Sequence, residues 1–358
     1  MGKLRQTGRP LVMRNTKRLT VMAIESSCDD TSVAIICDDE NIERRIRANV
    51  VIGQSIHSEY NGVVPEKAAR SHFANIDRAM RLAMDESCID IREIDCIAAT
   101  RGPGLIGGLL VGCVFAKTLC ALSKKPFFGA NHLEGHILSP RLCYDIDFPY
   151  IVLLVSGGNS MYVRVDGVGR YCVLGQTIDD ALGEAFDKVA IMLGLSYPGG
   201  PIIDKMSKFG DPHRFRFTIP LQRRGGCDLS FSGIKTAVKR HIEILVQKYG
   251  ELCETDKYDM AASFQHHVIN FVMRQMHKVC IENSDVRNIV ICGGVAANSG
   301  LRNAMAECAH SRGINFYAPK KELCTDNAAM IGWSCIENIN TGKEYHDIET
   351  KCNPRLNI

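Results

Sequence analysis

The sequence predicts an α/β fold made of two similar halves, because a strand, a small polar turn and a second strand follow one another near the start of each half. A third apolar strand ends in a Gly-Gly turn and leads into a helical pattern. Short apolar runs bounded by Gly, Ser and Asp are typical of buried strands. The three patterns lie at 19–37, 149–165 and 288–306. We therefore predict a duplicated α/β architecture.

The turns in these patterns carry groups that suit an anion. Gly157 and Gly158 allow backbone N–H groups to approach a ligand closely, and a second Gly-Gly pair stands at 293–294. A lone Gly-Gly turn is most often a tight turn without a ligand. Two such turns after buried strands, together with a hydroxyl-rich hairpin at 25–31, predict a nucleotide between the two lobes.

The intervening segments alternate between helical and strand patterns. We expect a helix over 64–84, a strand over 95–100, a Gly-rich buried helix over 105–122 and an amphipathic helix over 178–193. Arg101-Gly102-Pro103-Gly104 separates the strand from the Gly-rich helix, since Gly and Pro interrupt regular structure.

The length of 358 residues suits two domains of ordinary size. Residues 1–24 carry six basic groups and no acidic one, and 1–18 lack apolar periodicity. We therefore expect a disordered basic tail over 1–18, for which an organellar presequence is an alternative interpretation. The first lobe is expected over 19–130 plus 326–358, and the second over 131–325.

Composition favours a soluble protein of a reducing compartment. The longest apolar run, 104–116, is too short to cross a bilayer, so we expect no membrane contact. The 16 cysteines stand singly without any CxxC pair, which argues against a disulfide framework. We expect the cytoplasm of a bacterial cell, with the mitochondrial matrix as the alternative.

A local basic segment lies at 205–240. It contains nine Lys and Arg residues but only two Asp residues, and four Phe residues are interleaved with the basic ones. Basic and aromatic side chains together suit a phosphate backbone with splayed bases. A solvated face with ordinary core aromatics explains the same pattern, and composition leaves both interpretations open.

His132 and His136 are four residues apart, so a helix would project both imidazoles from one face. Such a pair can bind zinc or iron, or can be two solvated or capping histidines. Asp326 precedes a helical pattern, where it can cap the helix or complete a metal site. Glu134 occupies the wrong position for the HExxH motif of a zinc peptidase and should point away from both histidines.

Eleven short motifs follow one another in fixed order along the chain. They are Ile24-Glu-Ser-Ser-Cys-Asp-Asp-Thr31, Gly62-Val-Val-Pro-Glu66, Gly102-Pro-Gly104, Asn131-His-Leu-Glu-Gly-His136, Leu154-Val-Ser-Gly-Gly158, Ile178-Asp-Asp180, Gly183-Glu-Ala-Phe-Asp-Lys188, Tyr197-Pro-Gly-Gly-Pro201, Ser230-Phe-Ser-Gly233, Gly293-Gly-Val-Ala-Ala-Asn298 and Cys324-Thr-Asp-Asn327. Together these motifs resemble the TsaD family, the tRNA threonylcarbamoyladenosine transferases, in its bacterial and mitochondrial branch. The resemblance covers residues 19–336.

The resemblance implies the two-lobe fold shared by actin, Hsp70 and sugar kinases. It also implies one divalent metal ion, iron or zinc, held by His132, His136 and Asp326. The implied reaction moves a threonylcarbamoyl group from threonylcarbamoyl-AMP to N6 of the adenosine 3′ of the anticodon, in tRNAs that read codons beginning with A. The residues implied to contact this substrate are Val155, Ser156, Gly157, Gly158, Asn159, Asp187, Gly200 and Asn298.

The implied partners are tRNA through its anticodon loop, a catalytically silent paralogue (TsaB-like) and a small ATPase (TsaE-like). Asp29 and Asp30 are the candidates for a general base, because the first hairpin should face the cleft, although turn chemistry alone favours ordinary turn residues. Asn159 departs from the His that bacterial relatives carry, which places any ionisable role at 159 in doubt.

Three other functions compete with this one. An ATP-dependent sugar kinase of the same fold class explains the phosphate turns but not the metal triad. A metallopeptidase explains the histidine pair but lacks a Glu on the metal side. A non-catalytic scaffold paralogue should lack His132, His136 and Asp326, and this chain has all three.

Overall fold

A computed structural model of the chain describes residues 18–60, 62–218, 220–221 and 225–358. The predicted basic tail lies outside these residues, apart from Arg18, and so do Arg223 and Arg224 of the basic segment. Within the described residues the structure contains two mixed five-stranded sheets, with strand orders β3-β2-β1-β4-β5 and β10-β9-β6-β7-β8. The predicted α/β class with two lobes agrees with these two sheets.

The strands follow the apolar runs of the sequence. Those of the first sheet are β1 Thr20–Glu25, β2 Thr31–Cys37, β3 Ile46–Ile52, β4 Cys96–Gly102 and β5 Phe127–Asn131. Those of the second sheet are β6 Tyr150–Val155, β7 Ser160–Gly167, β8 Arg170–Gln176, β9 Asn288–Cys292 and β10 Asn315–Tyr317.

The α-helices cover both sheets. They are α1 Pro65–Ser87, α2 Ile106–Ser123, α3 His132–Cys143, α4 Leu182–Met192, α5 Gly199–Met206, α6 Ser232–Tyr249, α7 Glu254–Glu282, α8 Ser299–Arg312 and α9 Ala328–Asn340. Helices α1 and α2 cover one face of the first sheet and α9 covers the other.

Strand direction determines where the turns of the sequence meet. Strands β1, β4 and β5 are parallel, so the turn after Glu25, the loop after Gly102 and the start of α3 lie at one edge of the first sheet. Strands β6 and β9 are parallel as well, which brings both Gly-Gly turns to one edge of the second sheet. Ligands of open α/β sheets bind at such carboxyl edges.

Helix α3 belongs to the cores of both sheets. Leu133 and Ile137 pack with the second sheet, whereas Leu138 and Leu142 pack with the first sheet and α9. The boundaries expected at 130/131 and 325/326 therefore remain a prediction, with α3 lying between the two packing units.

The last residues run back along the first sheet. His346 N donates to Phe127 O at 2.9 Å, and Asn353 N donates to Arg101 O at 2.7 Å. Gly104 N in turn donates to Pro354 O at 3.2 Å. We call residues 343–358 the C-terminal strap. Its backbone hydrogen bonds to Arg101 and Gly104 fix the end of β4 and the loop that follows it.

Helix α2 is the one described helix whose length and composition would allow it to span a membrane, with 18 residues and a mean hydropathy of 1.8. Core helices of soluble proteins pass the same test. Cys113, Ala116 and Cys120 of α2 belong to the core of the first lobe, whereas Ile106, Leu110 and Val114 are exposed.

Candidate functional site

The histidine pair opens α3 directly after β5. The side chain of Asn131 caps this helix, because its Oδ1 accepts from Leu133 N at 2.9 Å and from Glu134 N at 3.3 Å. The imidazole centroids of His132 and His136 are 4.7 Å apart. Both rings are buried, so the helical spacing seen in the sequence does place them on one face.

Asp326 faces this pair instead of capping α9. Its Oδ1 lies 3.0 Å from His136 Nε2 and 3.6 Å from His132 Nε2. The cap of α9 is Asn327, whose Oδ1 accepts from Met330 N at 3.1 Å. The capping interpretation of Asp326 is therefore wrong, and the structure brings together the three residues implied as metal ligands.

The donor set fits a divalent transition metal. Two imidazole nitrogens and one carboxylate oxygen lie within 4.8 Å of one another. Such ligands suit zinc or iron, and three protein ligands leave positions open for a substrate.

The charges around these three residues favour a cation. Burial opposes a positive charge on His132, but Asp326 and Glu25 outweigh it and raise the pKa of His132. Burial likewise opposes ionisation of Asp326, yet the two histidines lower its pKa. The field that favours a proton on His132 also favours a metal ion between these groups.

Glu25 belongs to the first of the sequence motifs, but sequence reasoning assigned it no role beside His132. It is fully buried, and its Oε2 lies 3.1 Å from His132 Nδ1 and 2.6 Å from Thr100 Oγ1. A carboxylate at the end of a buried apolar strand was the available signal, because such groups are seldom buried without a partner.

Glu134 points away from the metal centre, as the sequence spacing indicates. Its Oε1 accepts from Tyr171 Oη at 2.7 Å, and its Oε2 accepts from Ser334 Oγ at 3.3 Å and Asn338 Nδ2 at 3.1 Å. These bonds join α3 to β8 and to α9. Glu134 thus links the lobes and cannot serve as the metal-side base of a peptidase.

The first hairpin lies beside the metal centre. Burial, Asp29, Asp326 and Glu25 together raise the pKa of Asp30 to about 7. His72 of α1 links this helix to the hairpin. Its Nδ1 lies 2.8 Å from Thr31 Oγ1, and its Nε2 lies 3.1 Å from Cys28 O. Burial and the neighbouring carboxylates therefore favour the protonated form of Asp30.

The turn after β6 is open on its outer side. Val155 is buried, Ser156 N donates to Asn159 O at 2.8 Å, and Asn159 N donates to Ser156 Oγ at 3.0 Å. A β-carbon added at Gly157 or Gly158 would meet nothing within 4 Å. This turn thus offers backbone N–H groups and free space, as an anion cradle requires.

Asp187 and Gly200 lie across from the first hairpin. Asp187 Oδ1 accepts from Gly199 N at 2.8 Å, and burial raises the pKa of this carboxyl, with Asp29 contributing. A β-carbon on Gly200 would meet only Phe186, at 4.0 Å. Tyr197, to which sequence reasoning assigned no role, belongs to the same group: burial, Asp29 and Asp187 raise its pKa.

The side chain of Asn298, an implied substrate contact, is bonded to other protein groups. Its Oδ1 accepts from Leu301 N at 2.9 Å and caps α8, and its Nδ2 donates to Gln265 Oε1 at 2.7 Å. The side chain is buried. Its implied contact with a nucleoside stays a prediction, since both polar ends of the amide already have protein partners.

Only some side chains of the basic segment 205–240 are exposed to solvent. Phe215, Phe217 and Phe231 are core residues, so for them the interpretation as ordinary core aromatics holds; Phe209 is 72% exposed. Arg214 pairs with Asp256 and Asp259, and Lys235 pairs with Asp180. Besides Arg214, the exposed cations of this segment within the described residues are Lys205, Lys208, Arg216, Lys239 and Arg240.

Solved structures share the fold. HypF of T. kodakarensis aligns with a TM-score of 0.60 at 13% identity, over 90% of this chain and 48% of that chain. Component A of the (R)-2-hydroxyglutaryl-CoA dehydratase of Acidaminococcus fermentans aligns with a TM-score of 0.51 at 13% identity, over 92% of this chain and all of that one. The predicted two-lobe fold of the actin, Hsp70 and sugar-kinase type is confirmed.

Sequence relatives are closer. Proteins named tRNA N6-adenosine threonylcarbamoyltransferase are 49% identical in Rickettsia bellii and 48% identical in Orientia tsutsugamushi, each over 90% of this chain and 94% of the relative. Residues 45–333 match the family model described as TsaD, tRNA N6-adenosine threonylcarbamoyltransferase. The chain therefore belongs to the TsaD family of tRNA N6-adenosine threonylcarbamoyltransferases.

Proposed function

We propose that this protein transfers a threonylcarbamoyl group from threonylcarbamoyl-AMP to N6 of the adenosine 3′ of the anticodon, in tRNAs that read codons beginning with A. Relatives that share nearly half of their residues with this chain over almost their whole length carry the name of this transferase activity. The convergence of His132, His136 and Asp326 is the structural observation that supports it. A sugar kinase would share the fold but would leave this triad without a role.

His132, His136 and Asp326 would hold the metal ion, iron or zinc. When bound, such an ion supplies a Lewis acid that orients and polarises oxygen atoms of the substrate. The triad itself keeps two imidazoles and a carboxylate within a small buried volume, so the chain needs little rearrangement to hold the ion.

The donor is already activated, so the protein has to orient it and stabilise charge. The N–H groups of Gly157 and Gly158 would face the phosphate of the donor in the open turn after β6. As the N6–C bond forms, the bond between the carbamoyl carbon and the phosphate oxygen breaks, and AMP leaves with the electron pair. Asp30 would accept the proton that N6 loses, because burial and neighbouring carboxylates raise the pKa of its carboxyl and so make it a stronger base.

The test is in vitro transfer from threonylcarbamoyl-AMP to unmodified tRNA, with the modified nucleoside measured by mass spectrometry and the metal content by elemental analysis. We expect His132→Ala to lose the metal and at least about a hundredfold in rate. His310→Ala, a change of an exposed histidine on α8, is the matched control and should behave as the unchanged protein. If His132→Ala keeps both metal and activity, the proposed reaction centre is wrong.

The exposed apolar face of α1 and α2 suits a partner protein. The helices begin side by side, since a β-carbon on Gly107 would lie 3.0 Å from Ala69 Cβ. Phe73 is 78% exposed, and Leu110 and Val114 are exposed on α2. We assign this face to a silent paralogue of the same fold; a small ATPase would join that complex, and tRNA would contact the exposed cations of 205–240.

The compartment follows as a proposal from the cysteines. All 16 cysteines are free in the structure. Free thiols in this number suit a reducing compartment. We propose the bacterial cytoplasm, with the mitochondrial matrix as the alternative.

A further inference from the structure

Glu25 is a fully buried carboxylate that no lysine or arginine of the described residues neutralises. It ends β1 and lies 107 residues before His132 in sequence. Its Oε1 accepts from Ser27 N at 2.6 Å, and its Oε2 accepts from Thr100 Oγ1 at 2.6 Å. These two bonds hold both oxygens, so the carboxylate has one orientation.

The remaining contact of Glu25 is with the imidazole of His132. Oε2 lies 3.1 Å from Nδ1, and Ser27 Oγ lies 3.1 Å from the same nitrogen. A hydroxyl can donate or accept, whereas an ionised carboxylate only accepts. Glu25 therefore requires the hydrogen to be on Nδ1. The lone pair of the neutral ring is then on Nε2, the nitrogen that faces Asp326.

His136 has no comparable support. Its Nε2 faces Asp326 at 3.0 Å, but its Nδ1 is buried and has no hydrogen-bond partner among the described residues. The two histidines are thus unequal, although they are neighbours on one helix face. Only His132 has a carboxylate behind it that selects its tautomer.

We propose that Glu25 is a positioning residue that holds His132 in the Nδ1–H tautomer and so presents Nε2 to the metal ion. This inference rests on the metal site of the proposed function. Histidine ligands are commonly oriented in this way by a carboxylate that accepts from the second ring nitrogen, and removal of that acceptor weakens metal binding. Thr100 and Ser27 take part by fixing the carboxylate.

Glu25→Gln is the informative change, because the amide has the same shape and can donate to Nδ1. Donation to Nδ1 would place the hydrogen on Nε2 and block metal binding there. We expect the affinity for Zn²⁺, measured by competition with a chelator, to fall about 10- to 100-fold. Glu134→Gln is the matched control: it changes another buried carboxylate two residues from His132 and should leave Zn²⁺ affinity unchanged.

The unchanged protein supplies a second readout that does not depend on folding of a variant. Nitrogen-15 spectra of the Zn²⁺-loaded protein, with His132 assigned from its loss in His132→Ala, should show a protonated Nδ1 and a Zn²⁺-bound Nε2. An unprotonated Nδ1, or Glu25→Gln binding Zn²⁺ as tightly as the unchanged protein, overturns the role of Glu25. If His132→Ala and Asp326→Ala also retain Zn²⁺ affinity, the metal site of the proposed function fails instead.

Discussion

The backbone of Gly293 lies directly against the carbonyl oxygen of Val155: a β-carbon on Gly293 would be 2.3 Å from that oxygen. Gly293 also has φ +89°, which disfavours other residues. This close approach joins the ends of β6 and β9, and with them the two Gly-Gly turns. Gly293 therefore has a structural role, whereas Gly157 and Gly158 of the other turn lie beside open space.

Gly293→Ala should destabilise the protein by about 3 kcal/mol, because it combines an unfavourable φ with a backbone clash. Gly157→Ala should leave the melting temperature nearly unchanged, since its β-carbon would enter open space. If that space receives the donor, Gly157→Ala should raise the KM for threonylcarbamoyl-AMP about tenfold or more. Thermal unfolding and steady-state kinetics on both variants distinguish the roles; equal melting temperatures would contradict the first expectation.

Asp30→Asn should remove a pH dependence of stability. In the unfolded chain this carboxyl titrates near 3.8, whereas in the folded protein its pKa is about 7. Unfolding therefore releases a proton between these values, so the contribution of Asp30 to stability falls as pH rises from about 4 to 7. Compared with the unchanged protein, Asp30→Asn should melt at a higher temperature at pH 8, and the difference should shrink at pH 5.

The same variant tests catalysis. The rate of transfer by the unchanged protein should rise with pH as Asp30 ionises, and Asp30→Asn should lower the rate about a hundredfold with a flat profile. Asp85→Asn, a change of an exposed carboxyl on α1, is the control for lost charge. A pH profile of Asp30→Asn that still rises through 7 would exclude Asp30 as the base.

The exposed cations of 205–240 should bind phosphates of tRNA. Changing Lys208 and Arg216 to Ala should weaken tRNA binding and reduce the slope of log Kd against log salt concentration by about 1 for each phosphate that the protein no longer neutralises. Lys351→Ala removes an exposed cation of the C-terminal strap and should leave the slope unchanged. Filter binding at several salt concentrations measures both values, and identical slopes in all proteins would remove this surface from the proposal.

Charges on the apolar face of α1 and α2 should abolish partner binding without unfolding the protein. Phe73→Asp and Leu110→Asp change exposed side chains, so the melting temperature should move little. Complex formation with the silent paralogue, followed by light scattering, should be abolished. Ile281→Asp introduces a charge at an exposed site of the second lobe and should retain the complex. If the unchanged protein instead forms a dimer through this face, the occupant is a second copy.

Glu134→Ala should destabilise the protein by about 3 kcal/mol, because Tyr171, Ser334 and Asn338 would lose a buried acceptor. Metal content should remain unchanged in the folded protein, since the hydrogen-bond partners of the Glu134 carboxylate among the described residues are Tyr171, Ser334 and Asn338. Chemical denaturation and elemental analysis measure both. Loss of metal without loss of stability would reopen the peptidase interpretation.

Local patterns in the sequence predicted the local structure well. The strand expected over 19–24 is observed at Thr20–Glu25. The helix expected over 105–122 is observed at Ile106–Ser123, and the helix expected over 64–84 at Pro65–Ser87. Apolar periodicity reports burial of one face, and strand and helix periods differ enough to separate them. The pair of His132 and His136 was predictable for the same reason, because both lie on one helix.

Contacts between residues that are distant in sequence could not be predicted from local patterns. Glu25 reaches His132 only because β1 and β5 flank β4 in one sheet, and strand order is not written in any single motif. The interleaved Phe residues of 205–240 look the same in sequence whether they are buried or exposed. Asp326 and Asn327 are adjacent residues of similar chemistry, and only the tertiary structure shows that Asn327 caps the helix while Asp326 faces His132 and His136.

The C-terminal strap has a consequence for the synthesis of the protein. The ribosome makes Asp326, α9 and the strap after both sheets, yet Asp326 completes the triad and the strap holds the loop that follows β4. Domains generally fold as their residues emerge, and here the first lobe lacks a covering helix until its last segment is released. A nascent or truncated chain that ends before residue 326 contains the strand residues of both sheets but lacks Asp326 and α9, so we expect premature products to be inactive.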